Sequence, residues 1–290
     1  MKKLKYFVRD LSLRLLGMRY YTIFRFILTH GYYPQLEAPR SWNEKIQNRK
    51  IYSDPKLYSK LVDKYYVREY VSRTVGHQYL IPLIARYEFL SPEDFNDLPQ
   101  SFVIKTSNGG GGVNVKVVRN KGLLSYNESL SIFNENIKKN TGYSIGELFY
   151  DIEDASIVVE KLIENSNGTA LLDYKFHIFK SRECVKILLQ INKNYGKKDE
   201  TKTIYSLDGI RSDIQFKGYR LGKEKIDLPD NLQEMVDLAI KLSGDFNYCR
   251  VDLYNVDNNI YFGEMTFCPA SGWDRLNKKE HDFLLGSYWA

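Results

Sequence analysis

The sequence predicts an α+β fold with a helical N-terminal region. Three observations carry that expectation. Residues 1–75 show helical spacing, alternating strand patterns begin near 101, and from 156 onward strands dominate, two of them joined as a hairpin. The expected divisions are a basic helical region at 1–75, a small unit with a glycine-rich loop at 76–155, and a C-terminal unit with paired acids at 156–290. Of the 290 residues, 43% are hydrophobic, which is enough to bury a core and excludes global disorder.

Taken in order, residues 1–30 hold Lys2, Lys3, Lys5, Arg9, Arg14, Arg19 and Arg25 against Asp10 alone. They account for the whole net charge of +6. The balanced remainder excludes a nucleic-acid groove through the body. Leu4, Phe7, Val8, Leu11, Leu15, Met18 and Phe26 fall at roughly helical spacing among these cations. Such a helix either meets an anionic membrane surface through residues 1–28 or docks on the protein's own core. No run of about 18 apolar residues spans a bilayer. The arginines and the lack of a small-residue cleavage site make a poor signal peptide. Cys184, Cys249 and Cys268 form no C-x-x-C pair, as expected in a reducing cytoplasm.

Asp54-Pro55 opens a helix through Tyr58, Leu61, Val62, Tyr65 and Tyr66, with Asp63 and Lys64 inside it. Ser91-Pro92 starts a short helix that Pro99 ends. Ser101 to Lys105 reads as a strand, and Val113, Val115 and Val117 as the next. Ser125-Tyr126-Asn127-Glu128 is a capping box opening a helix to about Lys139. Strands are expected at 157–159, 174–179 and 185–190. A helix capped at Asp230-Asn231 stops at Gly244, strands follow at about 249–255 and 260–267, and 270–290 is irregular or short-helical.

Three places carry chemistry. In the first, a strand delivers Lys105, and Asn108, Gly109, Gly110, Gly111 and Gly112 follow. Glycines let backbone N–H groups turn toward an anion, and the lysine adds a point charge for phosphate. A P-loop is excluded because the lysine precedes the glycines and a strand follows them. A protein kinase is excluded because its glycine loop precedes its lysine and no H-R-D loop is present. What remains is a glycine hairpin over a phosphate tail, or a plain surface turn.

The second place is Arg250-Val251-Asp252, a short turn, then Glu264-Met265-Thr266. If Asp257-Asn258-Asn259 is the loop, Asp252 faces Glu264 and Arg250 faces Thr266, all on one face of the hairpin. Two opposed carboxylates repel, and a hard cation such as Mg²⁺ reverses that sign. Arg250 beside them can bind phosphate or a developing oxyanion. The plainer alternative is a solvated hairpin face. The third place, Glu160-Lys161-Leu162-Ile163 at the end of an apolar strand, is weak by itself.

In this order the pieces resemble the ATP-grasp superfamily over about residues 60–275. Gly31-Tyr32-Tyr33-Pro34, Pro39-Arg40-Ser41-Trp42-Asn43-Glu44-Lys45-Ile46-Gln47, the Asp63–Val71 segment and Tyr261–Phe267 are similar to its TupA-like branch. That branch is named for teichuronopeptide biosynthesis and found among bacterial surface-polysaccharide genes. The resemblance implies an ATP-grasp fold, two α+β subdomains gripping ATP, and an amide-forming ligase that uses ATP and two Mg²⁺ ions. Its partners would be a small-molecule or glycan carboxylate and an amine.

The resemblance also implies roles. Lys64 and Lys105 would hold the ATP phosphates, with Asn108 and Gly109 to Gly112 over them. The Glu160 side chain, Lys161 carbonyl and Ile163 amide would grip adenine. Asp252, Glu264 and Thr266 would hold metal. Arg250 would stabilise the acyl phosphate and tetrahedral intermediate, and Lys175 would reach the γ-phosphate. Lys193 and Ser271 would face substrate. This chain departs from the superfold at Thr266, where Asn is usual, and around Lys193, where an arginine is expected. Two other classes stay open. A glycosyltransferase lacks a convincing Asp-x-Asp after a strand and leaves the glycine hairpin unexplained. A non-catalytic nucleotide-binding scaffold has only Thr266 in its favour. His77 and His177 read as structural.

Overall fold

The computed structural model describes residues 2–110, 114–124, 132–181, 184–194 and 198–290, without the side chains of 2–8 and 10. The α+β class holds. Two antiparallel sheets organise the chain. Strands β1 (Leu83–Tyr87), β2 (Phe102–Thr106), β3 (Val115–Val118) and β4 (Ile157–Glu160) form one, in the order β1-β4-β2-β3. Strands β5 (Asp173–Lys180), β6 (Val185–Lys193), β7 (Thr201–Tyr205), β8 (Tyr248–Val256) and β9 (Asn259–Thr266) form the other, in the order β7-β6-β5-β8-β9. The chain passes between sheets after Glu160, a few residues beyond the 155/156 division expected from sequence.

Each sheet has its own core. Phe102, Ile104, Ile157 and Val159 alternate inward from the smaller sheet onto Leu90, Phe95 and Phe133. Helix α5 (Pro92–Asp97) starts on a Ser91–Asp94 capping box. The larger sheet buries Tyr174, Phe176, Ile178, Val251, Leu253 and Met265 with Met235, Ala239 and Leu242 of the helix Leu232–Leu242. The opposite face of β5, β8 and β9 carries the polar residues, because side chains alternate along a strand. Residues 132–136 are helical, and the capping box at 125–128 lies outside the described residues. The tail is more regular than expected, with a helix at Lys279–Tyr288.

Helix α1 (Lys2–His30) is interrupted at Gly17, whose φ of 72° and ψ of 164° only glycine adopts readily. The backbone is therefore not one unbroken helix across residues 1–30, as the spacing had implied. Phe26 is fully buried, while Leu15 is 75% and Leu28 70% exposed. The second half docks on the loop after β9: Arg25 lies 4.0 Å over the Trp273 ring, and His30 Nε2 is 3.1 Å from the Gly272 carbonyl.

Helix α2 (Trp42–Tyr52) explains the motif around Trp42. The Ser41 hydroxyl accepts from Glu44 N at 3.1 Å, and the Glu44 carboxylate accepts from Ser41 N, Arg40 N and Gln35 N. Trp42 is fully buried, and Asn43 donates to Asp282. Arg49 is buried over the Trp289 ring and donates to the Tyr248 and Phe267 carbonyls. These residues clamp the fold.

Candidate functional site

The larger sheet's polar face places the second sequence motif as its alternation required. Arg250 pairs with Thr266, and Asp252 with Glu264. The route to that register differs from the expected one. The turn is two residues, Asp257 and Asn258, with φ of 49° and 65°, the sign a tight hairpin turn demands at both positions. A bulge then follows: Asp252 pairs with Glu264, but Leu253 pairs with Phe262, so Gly263 is extra. In an unbulged ladder at this register Glu264 would fall opposite Val251 and face the core, and the bulge brings it opposite Asp252 instead. A β-carbon on Gly263 would lie 3.1 Å from the Asp252 carbonyl oxygen.

The charges on this face are bonded to one another. Arg250 Nε donates to Asp252 Oδ1 at 2.7 Å, and its Nη2 reaches Asp252 Oδ2 at 2.8 Å, Glu264 Oε1 at 2.9 Å and Thr266 Oγ1 at 2.9 Å. Lys175, on β5 opposite Asp252, bonds Asp252 Oδ2 and pairs with Asp173 at 2.6 Å. Burial works against the Arg250 and Lys175 cations, but Asp252 and its neighbours outweigh it, and both are held firmly charged. Burial likewise opposes the Asp252 anion, yet Arg250 and Lys175 keep its pKa below the usual carboxylate value. His177 on the same face is different. Burial holds its pKa down to about 3, and its nitrogens meet the Tyr248 hydroxyl and Gln190 Oε1. It is a neutral structural histidine.

The smaller sheet supplies the rest. Lys105 Nζ donates to Glu160 Oε2 at 2.5 Å, across the β2–β4 pair, and Arg68 Nη1 binds the other carboxylate oxygen at 3.0 Å. Gly109 has φ of 78°, and its carbonyl accepts from Lys64 Nζ at 2.5 Å. The Asn108 Oδ1 atom is buried without a partner among the described residues. Gly111 and Gly112 lie outside the described residues.

Lys64 is not inside a helix as the periodicity implied. Helix α3 (Lys56–Val62) ends at Asp63, whose ψ is 126°. Asp63 Oδ1 accepts from Tyr65 N and Tyr66 N, opening α4 (Val67–Thr74). The break turns the Lys64 backbone onto the Ser107 carbonyl at 3.0 Å. Burial depresses the Lys64 ammonium, with Glu264, Lys105 and Glu160 all acting on it. Lys64 thus sits where the two sheets' motifs approach each other.

Other expected residues fall less centrally. Lys161 is exposed, with its N–H on the Pro82 carbonyl at 2.9 Å, and Ile163 is half-buried. Lys193 is exposed at the end of β6, paired with Thr201. It alternates with Asn192 and so lies on the face away from Lys175. The basic residue on the site's face is Lys202, which pairs with Asp274 and lies 3.9 Å over the Phe216 ring. Ser271 lies in the loop after β9, its hydroxyl bonded to Glu147. Sequence reasoning missed Arg68, Asp173, Lys202 and Glu147. Only the alternation Asp173-x-Lys175 signals one of them.

The donors fit magnesium. Asp252 and Glu264 are cross-strand neighbours, and buried Asp173 Oδ1 has no hydrogen-bond partner among the described residues. All are hard oxygen ligands. Mg²⁺ takes one or two carboxylates and completes its shell with water and phosphate oxygens. Among the described residues no group of three or more His, Cys, Asp or Glu stands arranged to hold a metal unaided.

Two antiparallel sheets, one giving a lysine and a glycine turn and the other Arg-x-Asp and Glu-x-Thr, define the ATP-grasp class. The chain belongs to the TupA-like ATP-grasp family, whose model matches residues 44–290. No curated protein matches the sequence. Among solved structures it is similar to an L-amino acid ligase from Bacillus licheniformis, at 11% identity and TM-score 0.47, covering 89% of this chain and 56% of that one. It is also similar to a D-alanine-D-alanine ligase from Helicobacter pylori, at 16% identity and TM-score 0.44, covering 79% and 61%. A third is N5-carboxyaminoimidazole synthetase from Staphylococcus aureus complexed with ADP, at 14% identity and TM-score 0.43, covering 73% and 46%. This chain spans 46% to 61% of the length of these three proteins.

Proposed function

We propose that this protein is a Mg-ATP-dependent carboxylate–amine ligase. One observation carries the reading: Arg250, Asp252, Glu264 and Thr266 share a single hydrogen-bonded cluster around buried Asp252, the set a phosphoryl-transfer site needs. Lys64, Lys105 and the glycine turn Asn108 to Gly112 bind the phosphates. The Glu160 side chain, Lys161 carbonyl and Ile163 amide hold the adenine. Asp252 and Glu264, with Thr266 directly or through water, would hold two Mg²⁺ ions, which neutralise phosphate charge when bound.

The chemistry has two steps. A carboxylate oxygen attacks the γ-phosphorus, ADP leaves, and an acyl phosphate forms on the substrate. An amine then attacks the acyl carbon and phosphate leaves. Lys175 and Lys105 offset charge in the first step, and Arg250 stabilises the oxyanion of the second. The closed glycine turn keeps water from the acyl phosphate.

We infer the substrate class from the resemblance to the TupA-like branch: an amino acid or other amine joined to a uronic acid of a bacterial surface polysaccharide, of capsule, O-antigen or teichuronic type, or its precursor. The site of action is the cytoplasm, at the inner membrane face. That placement is supported by α1, where Leu15, Phe24 and Leu28 are exposed on a basic helix. Deleting residues 1–28 should release the protein from anionic vesicles, and unchanged binding would remove the idea.

Thermal melting tests the ligase reading. Mg-ATP should raise the midpoint of the wild type, less so in Glu264→Gln, and not without Mg²⁺. A rise with a UDP-sugar alone would instead support a glycosyltransferase.

A further inference from the structure

One buried polar cluster has no part in the scheme above. Glu147 is 3% exposed, and the Ser271 hydroxyl donates to its Oε1. Ser271 is held in turn: its carbonyl accepts from Gln47 Nε2 at 2.8 Å and from Lys50 Nζ at 3.1 Å. Ala270 and Ser271 have φ of 48° and 54°, the left-handed region that non-glycine residues avoid. Strain of this kind persists where surroundings enforce it and clusters at active sites. Here it aims one hydroxyl at one carboxylate.

The cluster lies beside the proposed reaction centre, close enough for Glu264 and Arg250 to act on the Glu147 charge. Ser271 lies five residues beyond Thr266, on the loop leaving the strand that carries Glu264. Glu147 caps a 3₁₀ turn (Leu148–Asp151), and its carbonyl accepts from Tyr150 N–H at 3.1 Å, which holds Tyr150 on the Glu147 side. Tyr150 uses that side to face the glycine turn: a β-carbon on Gly110 would lie 3.3 Å from its hydroxyl. A line from the glycine turn to the loop after β9 therefore passes Tyr150, Glu147 and Ser271.

We propose that Glu147, with Ser271 and Tyr150, forms the amine subsite, binding the substrate ammonium group and taking its proton. This rests on the ligase reading. The ammonium gives one proton to the Glu147 carboxylate, and the freed nitrogen lone pair attacks the acyl carbon. The C–N bond forms, the C–O bond to phosphate breaks, and its electron pair leaves with phosphate. The second nitrogen proton goes to the departing phosphate, and Glu147 returns its own to water.

The electrostatics suit a base. Burial pushes Glu147 up to about 7, opposed by Lys50 from α2 and by the Ser271 bond, with Glu264 and Arg250 also acting on it. Tyr150 and Cys268, which also face it, are held protonated by burial and by the Glu147 charge. Burial also pulls Lys50 down to about 8. The base works ionised, so amide formation should fall as pH drops below about 7.

The test compares two nucleophiles on Glu147→Gln, with ATP, Mg²⁺ and glucuronic or galacturonic acid. One is a mixture of the common amino acids, the other hydroxylamine, which is largely unprotonated at neutral pH and needs no base. Amide formation should fall about 100-fold, hydroxamate formation should stay near wild type, and the acid limb of the amide profile should vanish. Equal loss of both products, or retained amide, overturns the assignment. Should the melting midpoint show Glu147→Gln unfolded, Ser271→Ala carries the test: a raised amine KM with unchanged hydroxamate supports the subsite, and an unchanged KM overturns it. Wild type that makes hydroxamate but no amide overturns the subsite alone. Wild type that makes neither removes the ligase reading on uronic acids, and the subsite falls with it.

Discussion

On the larger sheet each charge of the site leans on several neighbours: Arg250 on Asp252, Glu264 and Thr266, and Lys175 on Asp173 and Asp252. On the smaller sheet one carboxylate, Glu160, serves two cations, Lys105 and Arg68, and Lys64 rests on backbone carbonyls. The difference follows from position. The larger sheet's site lies within central strands β5 and β8 and edge strand β9, all with register fixed by pairing. The smaller sheet's site lies at strand ends, where β2 gives way to the glycine turn and β4 to the crossing chain. A site half held by strand pairing thus stands beside a half made of strand ends.

Asp252→Asn should break the strand-paired half hardest. It leaves Arg250 and Lys175 short of a buried partner, and should cost about 3–5 kcal/mol in urea unfolding. A loss under about 1 kcal/mol would show that the network is not closed on itself. Lys105→Met should do less, about 1–3 kcal/mol, because Arg68 still satisfies Glu160. The same change should abolish the melting rise with Mg-ATP. If it destabilises as much as Asp252→Asn, the contrast between the halves is wrong.

The smallest expected effect is a slope. His177 is held near 3 in the fold against an ordinary value of about 6.5. Between those values the unfolded chain binds the proton and the fold does not, so stability falls as pH falls. His177→Gln should remove about 1.4 kcal/mol per pH unit from that acid limb. Glu147 acts oppositely between about 4.5 and 7, where its raised pKa makes stability fall as pH rises. Unfolding curves from pH 5 to 7 on both chains measure the difference. An unchanged slope would mean His177 is charged in the fold.

The sequence made the hairpin face legible because alternation is local. Arg250, Asp252, Glu264 and Thr266 come together as expected, although through a shorter turn and a bulge at Gly263 whose effects cancel at the site. Neither is visible in a period-2 pattern. Lys64 was misplaced because the apolar spacing runs smoothly through Asp63, and only the hydrogen bonds from Tyr65 N and Tyr66 N reveal the break. Arg68 and Glu147 were invisible because their partners, Glu160 and Ser271, lie 92 and 124 residues away. Lys193 read as basic at a strand end, and only pairing across β6 and β7 shows which face it takes.

The Trp42 segment has a bearing on how the chain is made. Asn43 closes on Asp282, 239 residues later, and Arg49 on Tyr248 and Phe267, 199 and 218 later. During synthesis, that stretch leaves the ribosome long before its partners exist. Contacts of such separation carry a large loop-closure cost and form late. The Trp42 segment is therefore among the last to become secure, and until then Trp42 and Arg49 are open to chaperones.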